Sequence, residues 1–459
     1  MKKKKWKYIL LFSVLALYAE AAMSQSASYK VLHEVKRKET LFGIAQANGL
    51  TVEELVRANP EMNTPGYELK KGTVIRIPYP STPAVTAAPA APQAGRAAWG
   101  GQARTDVRYR EVRVGVVLPL HNDNGDGRRM VEYYRGVLMA CDSLRSDGIS
   151  VDIRAWNLPE GGGLSAILSD PHAADRDLLI GPLYTRQVRQ LSDFAAAHDI
   201  RLLIPFSISS SEVNYNGSVF QAFQNGNQLN EAYTYHYMQL FKGCHTVIID
   251  CNDSTTTKGP FTRALRRKLD QEGIIYSITN LKSSEEMFSR CFSTTMRNIV
   301  VLNTSRSAEL NVAFAKLNGL LVNNPALSVT MFGYTEWLMY SRQHLENFYK
   351  FDTYIPSTYY MNPLLPRTEQ FKRAYYRHFR QEMQPYHQRF AATGFDHAFF
   401  MIKGLHLFGT RFTGAAGMVG YTPLQTPLQF ERIGNGGLQN RSVTLVHYMP
   451  SHRVETLRY

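Results

Sequence analysis

Cysteine is scarce in this chain: four thiols, Cys141, Cys244, Cys251 and Cys291, in 459 residues. Their spacings match no zinc-binding pattern. Cys244 and Cys251 flank an expected strand at Thr246–Ile249, and seven extended steps span about 23 Å, beyond the reach of a disulfide. Other pairings and buried free thiols both stay open. Long apolar runs are missing too: after the first two dozen residues no stretch approaches the roughly eighteen needed to cross a bilayer. Hydrolase signatures are equally absent. The thirteen histidines form no His-Glu-x-x-His and no i, i+4 pair. There is no Gly-x-Ser-x-Gly, and Gly161–Gly163 lack the Lys-Ser/Thr of a phosphate loop. Asp396-His397 sits on an expected helix and reads as a helix start. The chain is therefore expected not to be an enzyme, and to need neither metal nor cofactor.

Acidic residues are also short, 38 against 52 Lys and Arg, a net charge of +14. Part of that excess is local. Lys2 to Lys5 and Lys7 precede a twelve-residue apolar stretch, Tyr8 to Ala19, with small residues at Ala21, Ala22 and Ser24. Too short for a membrane span, this is the pattern of a cleaved secretory peptide over residues 1–24. No cysteine lies near the cut, so a bacterial lipid anchor is not supported. Removing those residues, with five lysines and Glu20, lowers the charge to +10. Arg263, Arg266, Arg267 and Lys268 cluster on one expected helix, and Lys372, Arg373, Arg377 and Arg380 on another. Nucleic acid, anionic envelope polymers and plain solvated faces all fit such clusters; export argues against nucleic acid. The expected location is the periplasm or cell envelope, wall-associated and not membrane-spanning.

Tyr29 to Pro78 reads as strand, helix, helix, strand. Tyr29, Val31, His33 and Val35 alternate, as do Ile75 and Ile77. Thr40 can cap a helix carrying Leu41, Ile44 and Ala45 on one face, and Thr51 a second with Leu55 inward. With Asn59-Pro60 and Leu69-Lys-Lys-Gly72 in place, this stretch resembles a LysM domain, with Lys38-Glu39-Thr40 where the family carries Gly-Asp-Thr. The resemblance implies peptidoglycan binding in a groove between two loops. It carries the contacts over to Lys38, Glu39, Thr40, Leu41 and Phe42, and to Asn59, Pro60, Glu61, Met62 and Asn63. Leu41, Ile44, Leu55 and Ile77 read equally as core.

Residues 81–110 form a Pro/Ala-rich spacer that cannot bury a core of its own. Beyond it, strands rich in Val, Ile and Leu alternate with helices: Val114–Leu118, Val151–Ala155, Leu178–Ile180, Leu202–Ile204, Phe220–Phe223, Thr246–Ile249, Ile274–Ile275, Asn298–Leu302, Val329–Phe332 and Thr353–Ile355. That grammar predicts an α/β fold with covered parallel sheets. Its markers are Gly115-Val-Val-Leu-Pro119-Leu, Ile180-Gly-Pro-Leu183, Ile204-Pro-Phe-Ser207, Thr393-Gly-Phe-Asp396-His-Ala398 and Gly417 to Gly436. In that order over 111–459, the body resembles the type I periplasmic solute-binding fold of the branched-chain amino-acid receptors. The resemblance implies two lobes crossed three times: lobe one about 112–225 and 391–412, lobe two about 226–390 and 413–459.

Ligands of such sheets sit at the carboxyl ends of strands. The matching loops are Leu120 to Asn122, Pro182 to Tyr184, Ser207 to Ser211, Asp250 to Asp253 and Tyr334 to Trp337. Gly181 and Pro182 shape a turn before a helix whose positive end faces the cleft. Ser207 and Ser209 could hold a carboxylate, or serve the turn. Glu336 could face an ammonium group, or be an exposed loop carboxylate. Tyr184, Tyr334 and Trp337 could stack on a ligand, or pack. The expected partners are peptidoglycan and either a small ligand (amino acid, peptide or muropeptide) or an envelope protein. The body is also similar to outer-membrane lipoprotein activators of penicillin-binding proteins, which share the Ile-Gly-Pro-Leu turn. It lacks their anchoring cysteine and helical-repeat half. A wall-tethered binding protein and a receptor for an ABC transporter or sensor are the two expected functions.

Overall fold

The computed structural model describes residues 29–36, 39–48, 50, 52–63, 69–78 and 106–459. The expected signal peptide, Lys38, Thr51 and spacer residues 81–105 lie outside them. The chain divides into two compact units, with the boundary between Gln102 and Ala103.

In the first unit, β1 (Tyr29–Glu34) and β2 (Val74–Pro78) pair antiparallel, with His33 opposite Ile75 and Val31 opposite Ile77. Helices α1 (Leu41–Ala47) and α2 (Val52–Ala58) lie between them in sequence. Val35, Ile44, Ala45, Leu50, Leu55, Met62, Ile75 and Ile77 form the core. The alternation expected of β1 holds only at its end: Val35 is buried, while Val31 is exposed beside a register irregularity after Tyr29. Thr40 does cap α1, its Oγ1 accepting from Gly43 N–H at 3.1 Å. Residues 41, 44, 55 and 77 contribute as expected, Leu41 from the edge of the core.

The second unit is built on two seven-stranded sheets. One sheet joins β3 (Val112–Leu118), β4 (Val151–Asn157), β5 (Leu178–Ile180), β6 (Arg201–Ile204), β7 (Val219–Gln221), β13 (Phe430–Arg432) and β14 (Leu438–Asn440). Its order is β13-β14-β7-β6-β5-β3-β4, parallel except for β13. The other joins β8 (His245–Asp250), β9 (Tyr276–Asn280), β10 (Asn298–Leu302), β11 (Val329–Phe332), β12 (Thr353–Ser357), β15 (Thr444–Met449) and β16 (Arg453–Arg458). Here β15 and β16 add antiparallel to an otherwise parallel set. The central strands carry Val, Ile and Leu without alternation because helices cover both faces.

Two lobe boundaries differ from expectation. Residues 413–440, assigned to lobe two, return to lobe one, because β14 pairs with β7. Helix α9 (Pro366–Phe379), also assigned to lobe two, packs Phe371 and Tyr375 against Met139, Ala391 and Ala392 of lobe one. An apolar helix face reports that it is covered, not by which sheet. At the other end, residues 106–110, counted as spacer, belong to the body: Arg110 grips the Asp177 carboxylate at 2.6 and 2.7 Å. The strand expected at Ile274–Ile275 starts two residues later. Gly273 at φ +66° closes the preceding helix, and Ile274 N–H returns to Leu269 C=O.

Lobe one is centred on α3 (Gly125–Ser146) and α10 (Phe390–Phe408), which touch backbone to backbone. A Cβ on Gly136 would fall 1.9 Å from Ala391 O, and one on Gly394 2.0 Å from Tyr133 O. Only glycine fits at either point.

Candidate functional site

Glu39 is held from inside the first unit. Its carboxylate accepts from Lys36 N–H at 2.7 Å and pairs with His33 Nε2 at 2.8 Å, which holds it below its ordinary range. It therefore braces the loop before α1, as a short turn-capping carboxylate would. Asn59 departs further from expectation. Its side chain is fully buried, donating to Leu55 O and Arg76 O and accepting from Arg76 N–H, each at 2.8 Å. Met62 is also buried. These two residues are core, not glycan contacts: an amide that satisfies three backbone groups has no donor left to offer. Thr40, Pro60 and Glu61 are exposed and Leu41 half-buried. Lys38 and the side chains of Phe42 and Asn63 are not among the described groups.

On lobe one, β5 ends in the cis bond Gly181-Pro182. Gly181 adopts φ +139°, and a Cβ there would stand 2.1 Å from Val117 O. The turn thus presses the chain against β3 and launches α4 (Thr185–Ala197) from the carboxyl end of β5. Tyr184 OH donates to Asp126 Oδ2 at 3.1 Å; burial, then this carboxylate, pushes the phenol up to about 12. Ser207, buried, shares a 2.8 Å hydrogen bond with Thr185 Oγ1. Its hydroxyl serves the turn as well as any ligand. Ser209 is exposed.

On lobe two, β11 runs into Gly333-Tyr334-Thr335-Glu336-Trp337. Tyr334 is buried, and its phenol donates to Leu302 O. Trp337 is fully buried and stacked on Phe348 at 6.1 Å. Of the two readings, packing describes both, although Tyr334 also lines a cavity. Aromatic side chains beside a strand end find core contacts before they find solvent. Glu336 Oε1 lies 2.6 Å from Lys258 Nζ. A cavity of about 240 Å³ opens here, lined among others by Asn230, Tyr233, Thr257, Lys258, Tyr334 and Glu336. Lys258, Asn230 and Tyr233 were missed from sequence. Lys258 had one signal: it precedes Gly259-Pro260, the start of α6 (Gly259–Gln271), at the end of the loop after β8. In that loop Asp253 is occupied by Thr255 and Thr304, which hold it down at about 2.

Asp396 is not a helix start. It lies inside α10, buried, and accepts from Leu424, Gln425 and Thr426 N–H at 2.7, 2.8 and 2.7 Å and from Tyr421 OH. Burial outweighs these bonds and pushes its carboxyl up to about 6. Gln425 C=O in turn accepts from Tyr360 N–H in the second passage between lobes. His397 is buried against Tyr133 OH at 2.9 Å, and burial lowers it to about 3. The four cysteines are unpaired; Cys141 and Cys251 are buried. Among the described residues no cluster of metal-binding side chains occurs, and no helix is long and apolar enough to cross a membrane.

Residues 33–78 match the LysM domain model. No curated protein matches the chain. Among solved structures, the chain is similar to a protein assigned to a branched-chain amino-acid ABC transporter of Rhodospirillum rubrum. Identity is 12%, TM-score 0.52, with 76% of this chain and all of the other covered. It is also similar to a substrate-binding protein of an ABC transporter from Desulfitobacterium hafniense in complex with Leu, at 16% identity and TM-score 0.41 over 76% and 100%. A transporter protein of Rhodopseudomonas palustris matches at 11% identity and TM-score 0.46 over 76% and 96%. The chain thus carries a LysM domain and a body of the type I periplasmic-binding-protein fold.

Proposed function

We propose that this is an exported peptidoglycan-binding protein whose two-lobed body recognises a small ligand or an envelope protein, in the service of regulating wall synthesis. The proposed order is signal peptide (1–24), LysM domain (29–78), spacer (81–110) and body (111–459). The reading rests on one observation above others: a LysM domain precedes, in the same chain, a binding fold with a cavity at the carboxyl ends of its strands. Tethering raises the effective concentration of the body's partners at the wall. In the module, Thr40, Leu41, Phe42, Pro60 and Glu61, with Lys38, remain the proposed glycan contacts. In the body, Gly181, Pro182, Tyr184, Ser207, Ser209 and Glu336 remain the proposed cleft residues.

The second reading, a solute receptor for an ABC transporter or sensor, is favoured by the likeness in fold to the Rhodospirillum rubrum protein. Against it stands Glu336, whose carboxylate already holds an ammonium of its own chain.

The test is the thermal shift of the full-length protein against amino acids, muropeptides and short wall peptides. A ligand at a hundred times its dissociation constant stabilises by about 2.7 kcal/mol. A shift with muropeptides or wall peptides, reduced by Ser207→Ala, supports wall recognition. A shift with free amino acids alone supports the transport reading. No shift with any of them overturns small-ligand recognition and directs the search to protein partners.

A further inference from the structure

The ammonium site of lobe two is already filled. Lys258 Nζ sits 2.6 Å from Glu336 Oε1 and 5.1 Å above the Tyr334 ring, with 19% of its side chain exposed. The carboxylate on one side and the ring on the other hold a cation by the two means a cleft has for holding one. Glu336 Oε2 is buried without a hydrogen-bond partner. Lys258 also precedes the first turn of α6, where the helix dipole adds positive potential. Lys258 lines the cavity, with Asn230, Tyr233 and Thr257 among its other polar lining residues.

We propose that this cavity takes a carboxylate, with Lys258 as its binding residue and Glu336 as the positioning residue that holds the ammonium in place. The proposal rests on the reading of the body as a recognition domain and specifies its ligand class: carboxylate-ended peptides or N-acylated amino acids, for which no amine is required. An entering carboxylate meets a charged donor with N–H groups to spare. An entering ammonium instead finds Glu336 Oε1 held by Lys258 and Oε2 buried, and would stand beside a second cation. A free α-amine therefore contributes nothing to binding here.

The test uses the full-length protein and three probes followed by calorimetry. N-acetyl-D-alanyl-D-alanine has a carboxylate and no amine, D-alanyl-D-alanine methyl ester has the amine without the carboxylate, and leucine has both. The acetylated dipeptide is expected to bind and the ester not to. Lys258→Met should weaken the acetylated dipeptide by about tenfold or more, the loss of one charged hydrogen bond. Lys258→Arg should restore most of it, which separates lost charge from a misfolded variant. Binding of the ester in place of the acetylated dipeptide, or no binding of the acetylated dipeptide, overturns the proposal. So does leucine binding that survives Lys258→Met but not Glu336→Gln. A muropeptide shift indifferent to Lys258 overturns this assignment while leaving the proposed function standing.

Discussion

Asn440 fastens the third passage between the lobes to the first: its Nδ2 donates to Ala222 O at 3.0 Å. The same amide donates to Pro427 O at 3.0 Å and accepts from Gln429 N–H at 2.9 Å and Ser442 N–H at 3.1 Å. All its hydrogen-bonding capacity is used. One residue earlier, Gln439 exchanges amide hydrogen bonds with Gln228 at 3.0 and 3.2 Å, tying β14 to the first helix of lobe two. Asn440→Ala leaves four backbone groups without this partner and should cost at least about 2 kcal/mol. Chemical denaturation measures the loss, and amide exchange should accelerate around 222 and 441–443.

Asp396 makes a prediction with a defined sign in pH. Its folded carboxyl, pushed up to about 6, lies above the ordinary 3.8. The favourable contribution is therefore complete below 3.8 and lost as pH rises through about 6. Measured against Asp396→Asn, which does not titrate, wild-type stability should fall across that interval and level off above it. Asp396→Ala, by orphaning three buried N–H groups, should cost at least about 3 kcal/mol.

His447 lies between two carboxylates, 2.7 Å from Asp352 and 2.8 Å from Glu455. Burial alone would lower its pKa, but the two hydrogen bonds and charges outweigh burial and raise it above 6.5. The imidazolium's contribution is thus present in full below 6.5 and lost as pH rises through the raised value. Urea midpoints from about pH 6 to about pH 9 should fall in wild type and fall less in His447→Gln.

Gly181→Ala places a methyl 2.1 Å from Val117 O in a conformation that L-residues avoid. The loss should exceed about 3 kcal/mol, since strain and overlap act together. Thermal melting of the body should register it, and a variant as stable as wild type would contradict the geometry of the turn.

Much of this architecture was legible because parallel strands buried on both faces read as unbroken runs. Val114–Leu118 and Ile299–Leu302 are such runs, buried throughout, and both lie in interior strands. The first unit was legible through its Thr40 cap and its Gly72 turn. What sequence did not disclose depends on contacts distant in the chain. Asn59 looks like a loop amide until Arg76 arrives to satisfy it. Asp396 looks like a cap until residues 424–426 fold back onto α10. Glu336 looks like an open carboxylate because its partner, Lys258, stands 78 residues earlier. Lobe assignment failed at 413–440 for the same reason, since β14 is too short and too polar to announce which sheet it joins.

The central claim is that the amino-terminal domain holds this protein at the wall. Co-sedimentation of the full-length protein with purified peptidoglycan sacculi tests it most directly. Asn59→Ala is the informative variant, because losing the bridge to Arg76 should destabilise the small domain by about 1–3 kcal/mol and leave the body's melting unchanged. The account predicts that wild type pellets with sacculi and that Asn59→Ala, its body still folded, remains largely in the supernatant. Wild-type protein that stays in solution, or a variant whose small domain has lost its fold yet pellets equally well, would contradict it.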